Sequence, residues 1–244
     1  MKKQKSFVTG QIQRLYLIGV GGTGGFLAQG LAKMIAGYNL EVEVVLIDPD
    51  TVEERNCIRQ NFWQYEIGQP KAKALSFRLN QQFGVNFSYF VGKYEDFERI
   101  DWHRIVVSCI DNIAGRKQLK SCGLWLDLGN DVINGQAIFG QTSNPAEIER
   151  AVEAWDKSAS ALALPNAYLV ANMKKLRDKK QAGCADHPFA EQGVFVNEYA
   201  AYAGLSILHQ AMVIGQVKTP QIYFDISTGR MMPKFITKEL LTDG

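Results

Sequence analysis

The residues best suited to chemistry fall into a few short stretches. GVGGTG at 19–24 follows an apolar run and meets a G-x-G-x-x-G spacing at Gly19, Gly21 and Gly24, with Gly22 inside it. Glycines there permit a tight turn and close backbone approach, and the N–H groups opening the next helix suit a phosphate. Asp48 lies 24 residues past Gly24 and has the charge and reach to accept both hydroxyls of a ribose. Taken alone, these features fit NAD as well as ATP.

The residues that follow narrow the choice. A dense polar loop holding Asp50, Asn56, Arg59 and Gln60 comes directly after the ribose acid, and Lys71 stands at the next helix start. A dinucleotide has little use for those cations, whereas a triphosphate does. When an α-phosphorus is attacked and pyrophosphate leaves, negative charge grows on the departing oxygens, and fixed cations there lower the barrier. Arg59 offers a bidentate fork and Lys71 a point charge. Asp111 ends another apolar stretch and is placed to hold Mg2+ against the phosphates. Asn112 beside it joins the set, and either residue suits the cap of the helix that follows.

These groups need strand ends to position them. Residues 12–18 read as a buried strand and Gly25 to Gly37 as the helix after the glycine loop. EVEVVLID at 41–48 alternates and is rich in β-branched residues, so it is a second strand. GQPKAKALSFRLNQQFG predicts a helix with Ala72, Leu75 and Leu79 on one face. VNFSYFVG, RIVVSCID, LWLDLGN and GQAIFGQ supply further strands. The alternation predicts an α/β fold, a Rossmann-like, doubly wound and mostly parallel sheet over the first 140 or so residues. Ligands in such sheets sit at the carboxyl ends of the strands, where Gly19, Asp48 and Asp111 all fall.

Beyond Asn144 the pattern dissolves, and 144–190 is expected to be an irregular crossover segment, with SNPAEIERAVEAWDKSASALALPN as one short helix and a loop. GVFVNEYAAYAGLSILHQAMVIGQV then reads as an almost wholly apolar, buried helix, and IYFDIST with MMPKFIT as a closing hairpin around Thr228-Gly229. No linker divides the 244 residues, so residues 1–244 are expected to form one domain.

Composition excludes several classes. A net charge of +2 offers no field for nucleic acid or an anionic membrane, and the basic run MKKLRDKK at 173–180 reads as a solvated face. Leu15 to Ala32 has the length of a membrane span, yet six glycines interrupt it. The start of the chain lacks the apolar stretch of a signal peptide, so a cytoplasmic location is expected. The four cysteines form no CxxC pair and read as free thiols; with three histidines and no ligand spacing, no zinc is expected.

In order and spacing, GVGGTG (19–24), DPDTV (48–52), NCIRQ (56–60), GQPKA (68–72) and CIDN (109–112), with Arg116 four residues after Asn112, resemble the ThiF/MoeB/ubiquitin-activating-enzyme-like adenylyltransferases over roughly residues 12–140. LDLGN, GCADHPF and GVFVNEYA look most like the bacterial PRTRC-system ThiF-like branch. The resemblance implies an ATP·Mg2+ site and adenylylation of the C-terminal carboxylate of a ubiquitin-like or sulfur-carrier-like partner ending in Gly-Gly, with release of pyrophosphate. It implies a homodimer. By motif position it gives the ribose to Asp48, the phosphates to Asn56, Arg59 and Lys71, and the metal to Asp111.

The chain departs from that pattern. Only 11 residues precede the first predicted strand, so the N-terminal arginine with which many relatives reach the partner subunit's ATP has no counterpart. The paired zinc-binding CxxC motifs are absent, with 144–190 in their place. Relatives place a thiol near Cys184, which in some takes the activated chain as a thioester; His187 is close enough in sequence to assist. Cys109 and Cys122 read as small core residues, Cys57 as a lining residue of the phosphate pocket, His103 as a surface residue and His209 as a core residue. Three other readings use the same residues: ATP-dependent dehydration or cyclisation of a small nucleoside carboxylate, a nucleotide-binding scaffold without turnover, and an NAD-dependent oxidoreductase, which the set Arg59, Lys71 and Asp111 disfavours.

Overall fold

A computed structural model describes residues 5–97, 104–157, 162–176 and 195–242. Its strands are β1 (Phe7–Val8), β2 (Arg14–Ile18), β3 (Glu43–Ile47), β4 (Phe87–Phe90), β5 (Arg104–Ser108), β6 (Trp125–Asn130), β7 (Asn134–Gly140), β8 (Gln216–Val217), β9 (Gln221–Asp225) and β10 (Arg230–Lys234). Its helices are α1 (Gly22–Tyr38), α2 (Asn56–Arg59), α3 (Lys71–Phe83), α4 (Ile113–Gln118), α5 (Pro145–Glu153), α6 (Ala167–Val170), α7 (Val196–His209) and α8 (Lys238–Thr242).

Eight strands form one sheet in the order β10-β9-β7-β6-β5-β2-β3-β4. From β4 to β6 the strands run parallel; β7, β9 and β10 continue the sheet antiparallel. The expected Rossmann-like sheet is present, and its reversal of strand order beside β2 is where such folds place ligands. The parallel strands are apolar on both faces because both faces are covered. Leu15 and Leu17 of β2 join the layer under α1, α3 and α7. Tyr16 and Ile18 point the other way, into a smaller cluster with Trp125, Ala167 and Met173.

Two helices flank α1 on the larger layer. On one side α3 packs on β3 and β4, and on the other α7 packs on β6, β7 and β9. The α1–α7 approach is close: a Cβ on Gly30 would lie 2.2 Å from Leu205 Cδ1. The glycine-rich run Leu15 to Ala32 is thus strand, turn and helix. Among the described residues no helix is long and apolar enough to cross a membrane.

Several expectations need correction. The helix after the glycine loop starts at Gly22 rather than Gly25, because Gly24 and Gly25 form its first turn. Of the two candidates for the cap of α4, Asn112 takes the role, its Oδ1 accepting from Gly115 N at 2.7 Å. The short helix expected within 143–166 is α5; among the described residues α6 follows it, and each is capped by an asparagine, Asn144 and Asn166. The apolar C-terminal helix is not buried all round. Phe195 and Tyr202 are 62% exposed, since only the stripe through Val196, Ala200, Ala203 and Ile207 faces the core. His209 is also not a core residue; it is partly exposed, with its ring 3.2 Å from the Tyr38 hydroxyl. The hairpin at the end is as expected, with Met231 opposite Phe224. Residues 177–194, which include Cys184 and His187, lie outside the described residues, as does His103.

Candidate functional site

The site begins where β2 ends. Gly19 continues the strand by donating to Ile47 O (2.9 Å) and then turns with φ at 80°, a left-handed conformation that suits glycine. A Cβ at Gly24 would lie 1.9 Å from Gly19 O, and one at Gly19 would lie 2.8 Å from Cys109 O. These two glycines therefore let the first turn of α1 fold back onto its own strand and against the end of β5. Gly21 faces the amide of Gln60, whose Oε1 is buried and has no hydrogen-bond partner among the described residues.

Asp48, one residue past β3, is 5% exposed. Its Oδ2 accepts from Val20 N at 2.7 Å and its Oδ1 from Asp50 N at 2.8 Å. Burial pushes its carboxyl above the usual range, opposed by those two N–H groups and by Lys71. This carboxylate therefore ties the glycine loop to the polar loop, and each oxygen keeps a further lone pair for a ligand hydroxyl.

The polar loop is braced from outside. Val52 N donates to Gln69 O and Gly68 N to Val52 O, while Lys71 N donates to Asp50 O at 2.8 Å. That pairing sets the buried Lys71 ammonium 2.9 Å from Asp50 Oδ2. Asn56 is buried, its Oδ1 accepting from Glu53 N at 2.8 Å. Arg59 is buried at the end of α2. The stretch after it is held by residues that sequence reasoning passed over. Buried Glu66 pairs with Arg78 of α3 at 2.9 Å, and Arg78 stacks over Trp63. Asn61 donates to Gly25 O and to Gln29 Oε1 of α1.

At the end of β5, Cys109 N donates to Ile18 O at 2.8 Å, which carries Asp111 to the same edge as the glycine loop. Asp111 is exposed. The loop that holds it is anchored by Arg116 of α4, buried against Asp127 of β6. Asp127 also accepts from Ser108 Oγ at 2.6 Å, and Ser108 Oγ accepts from Trp125 Nε1 at 2.8 Å. Thr23, Asn130 and Asn197 form another unforeseen cluster on the β6 side of the loop. No spacing rule points to them, because three distant segments supply them.

The structure thus brings Gly19, Gly21, Gly22, Gly24, Asp48, Asp50, Asn56, Arg59, Gln60, Lys71, Asp111 and Asn112 to the C-terminal edge of the parallel strands or to the loops that leave it. Cys184 lies outside the described residues. All three described thiols have their pKa raised, none lowered. Burial pushes Cys109 and Cys57 up, and Cys122 up to about 12. Cys57 packs partly buried against the core, and its Sγ lies 4.0 Å from Glu53 O. Among the described residues no cluster of three or more His, Cys, Asp or Glu could hold a metal. The single carboxylate of Asp111 suits Mg2+, which keeps several waters and takes phosphate oxygens as its other ligands.

A glycine turn opening a helix, an acid at the neighbouring strand end and buried cations beside it define a Rossmann-like site with the donors a polyphosphate needs. The sequence pattern of the ThiF family matches residues 10–143, more than half the chain, and the chain belongs to the ThiF family. No curated protein matches it by sequence.

Solved structures share its fold. Escherichia coli MccB with ATP superposes with a TM-score of 0.64 at 13% identity, over 93% of this chain and 65% of that one. The microcin C7 biosynthetic enzyme MccB in complex with N-formylated MccA gives 0.62 at 16%, over 93% and 65%. PaaA gives 0.62 at 12%, over 94% and 65%. At such identities the likeness is one of fold, and this chain spans about 65% of the length of each.

Proposed function

We propose that the protein is an ATP-dependent adenylyltransferase that activates a carboxylate. The observation that carries this reading is a pair of buried cations, Arg59 and Lys71, on the polar loop that packs through Gln60 and Asn61 on a glycine loop whose backbone admits no side chain at Gly19 or Gly24. In the reaction a carboxylate oxygen attacks the α-phosphorus, the bond from that phosphorus to the bridging oxygen breaks, and pyrophosphate leaves with the electron pair. Asp48 holds the ribose. The glycine loop, Asn56, Gln60 and Asn112 position the nucleotide; Arg59 and Lys71 stabilise the charge on pyrophosphate; Asp50 holds Lys71 in place. Asp111 would hold Mg2+, which would supply the positive charge that eases the approach of an incoming carboxylate.

The substrate we favour is the C-terminal glycine of a ubiquitin-like or sulfur-carrier-like protein, with Cys184 as acceptor of a thioester and a homodimer, built of single-domain chains, as the working unit. The motifs LDLGN, GCADHPF and GVFVNEYA support a place in the PRTRC branch. Protein or peptide substrates are consistent with the fold neighbour MccB, which has been solved with MccA.

Isothermal titration with ATP·Mg2+ and separately with NAD, on wild type and Arg59→Ala, tests the reading. ATP·Mg2+ should bind, and Arg59→Ala should lose about 1.5–3 kcal/mol, the worth of a hydrogen bond to a charged group. Binding of NAD without ATP would overturn the proposal and return the chain to the dehydrogenases.

A further inference from the structure

The cluster of Thr23, Asn130 and Asn197 has no part in the scheme above, yet it lies against the glycine loop. Asn197, the second residue of α7, is 5% exposed, and Thr23 is 7% exposed. The Thr23 hydroxyl is shared between Asn130 Oδ1 (3.0 Å) and Asn197 Oδ1 (3.2 Å), and Asn130 Nδ2 donates to Asn197 Oδ1 at 3.3 Å. In this arrangement Asn197 Oδ1 accepts from Asn130 Nδ2 and lies within reach of the Thr23 hydroxyl, whose single proton serves one of the two amides at a time. Asn197 Nδ2 then faces Gly22, where a Cβ would sit 2.6 Å from it. Among the described residues that nitrogen donates to nothing. Asn197 is thus a largely buried side chain whose Nδ2 donors no described group takes, which leaves them open to water or to a ligand at the start of α1.

The side of the site on which it lies identifies the ligand group. Arg59 lies between β3 and α3 and Lys71 opens α3, on the α3 flank of α1. Asn130 ends β6 and Asn197 opens α7, on the opposite flank, past Asp111. In phosphoryl chemistry the attacking and leaving oxygens lie roughly in line across phosphorus. With the cations for pyrophosphate on the α3 flank, the attacking oxygen enters from the α7 flank.

We infer that Asn197, oriented by Thr23 and Asn130, binds the carboxylate of the acyl substrate through its Nδ2 donors. The inference rests on the adenylylation reading. Asn197 aims the substrate oxygen at the α-phosphorus and keeps its donors on the same group in the acyl-adenylate.

Calorimetry with two ligands separates this role from others: ATP·Mg2+, and glycyl-sulfamoyl adenosine, an uncleavable mimic of glycyl-adenylate that carries the acyl oxygen. Asn197→Ala should bind ATP·Mg2+ within about twofold of wild type and lose roughly tenfold or more on the acyl mimic. Asn197→Asp, which keeps the acceptor but removes the donors, should lose at least as much. Thr23→Ser should retain acyl affinity, and Thr23→Val should lose it selectively. Equal losses on both ligands, or no loss on either, would overturn the inference. Wild-type protein that binds ATP·Mg2+ but not the mimic would overturn it while leaving the nucleotide site intact. Protein that binds neither would sink the adenylylation reading and this inference together.

Discussion

Arg116 on α4 grips both oxygens of Asp127 on β6, through Nε at 2.9 Å and through Nη2. The ends of this pair are 8% and 0% exposed, and a Cβ on Gly129 would lie 2.9 Å from the guanidinium. The pair clamps the loop that carries Asp111 to the neighbouring strand, since α4 begins directly after it.

Removing one member of such a pair leaves the other charged and buried. Arg116→Ala should lower unfolding free energy by about 3–5 kcal/mol, measured as a shift in denaturant midpoint at constant slope. A midpoint unmoved by the substitution would mean that Asp127 is adequately solvated without Arg116.

Gly24 should tolerate no side chain. With a Cβ 1.9 Å from Gly19 O, Gly24→Ala must push α1 off its strand, costing about 1–3 kcal/mol and abolishing ATP binding. Gly37, where a Cβ meets nothing within 4 Å, is the matched control. Its replacement by alanine, in the same helix, should leave binding unchanged and raise stability slightly. Equal behaviour of the two variants would refute the close-approach argument.

Asp48 predicts a dependence on pH. Because burial raises its folded pKa, the unfolded chain gives up this proton first as pH rises. The contribution of Asp48 to stability therefore falls from about pH 4 upward and levels off above the raised value. An amide in its place does not titrate, so the melting temperature of wild type relative to Asp48→Asn should decline as pH rises above about 4. A difference independent of pH would show that the two N–H bonds fully offset burial.

Much of this was legible from the sequence, for identifiable reasons. Strands such as RIVVSCID are short apolar runs that nothing but a covered sheet accommodates, and the glycine loop follows one of them directly. Asp48 and Asp111 could be placed because strand ends are predictable once the alternation is seen. What escaped was whatever depends on tertiary partners. The exposed face of α7, with Tyr202, could not be told from its buried face, because alanines and aromatics fill both. The two roles of Asp48, bracing Val20 and Asp50 as well as facing the site, leave no mark in spacing. Glu66, Arg78 and Asn61 meet only after the chain has crossed between α1 and α3. Thr23, Asn130 and Asn197 come from segments more than 60 residues apart, so no window contains them.

The sheet changes direction between β6 and β7, and the tight turn from Asn130 to Asn134, closed by Asp131 N on Asn134 O at 2.8 Å, emerges at the same edge as Asp111. Val132 and Ile133 stand exposed on it. That turn belongs to a hairpin whose pairing is fixed by Leu126, Leu128, Ala137 and Phe139 in the core, so its length is free to vary without moving any strand. Insertions there would build a wall beside the reaction centre while leaving the nucleotide side unaltered. On the proposed function, a fold arranged this way could take new acceptors by growing one surface loop, with the nucleotide side unchanged.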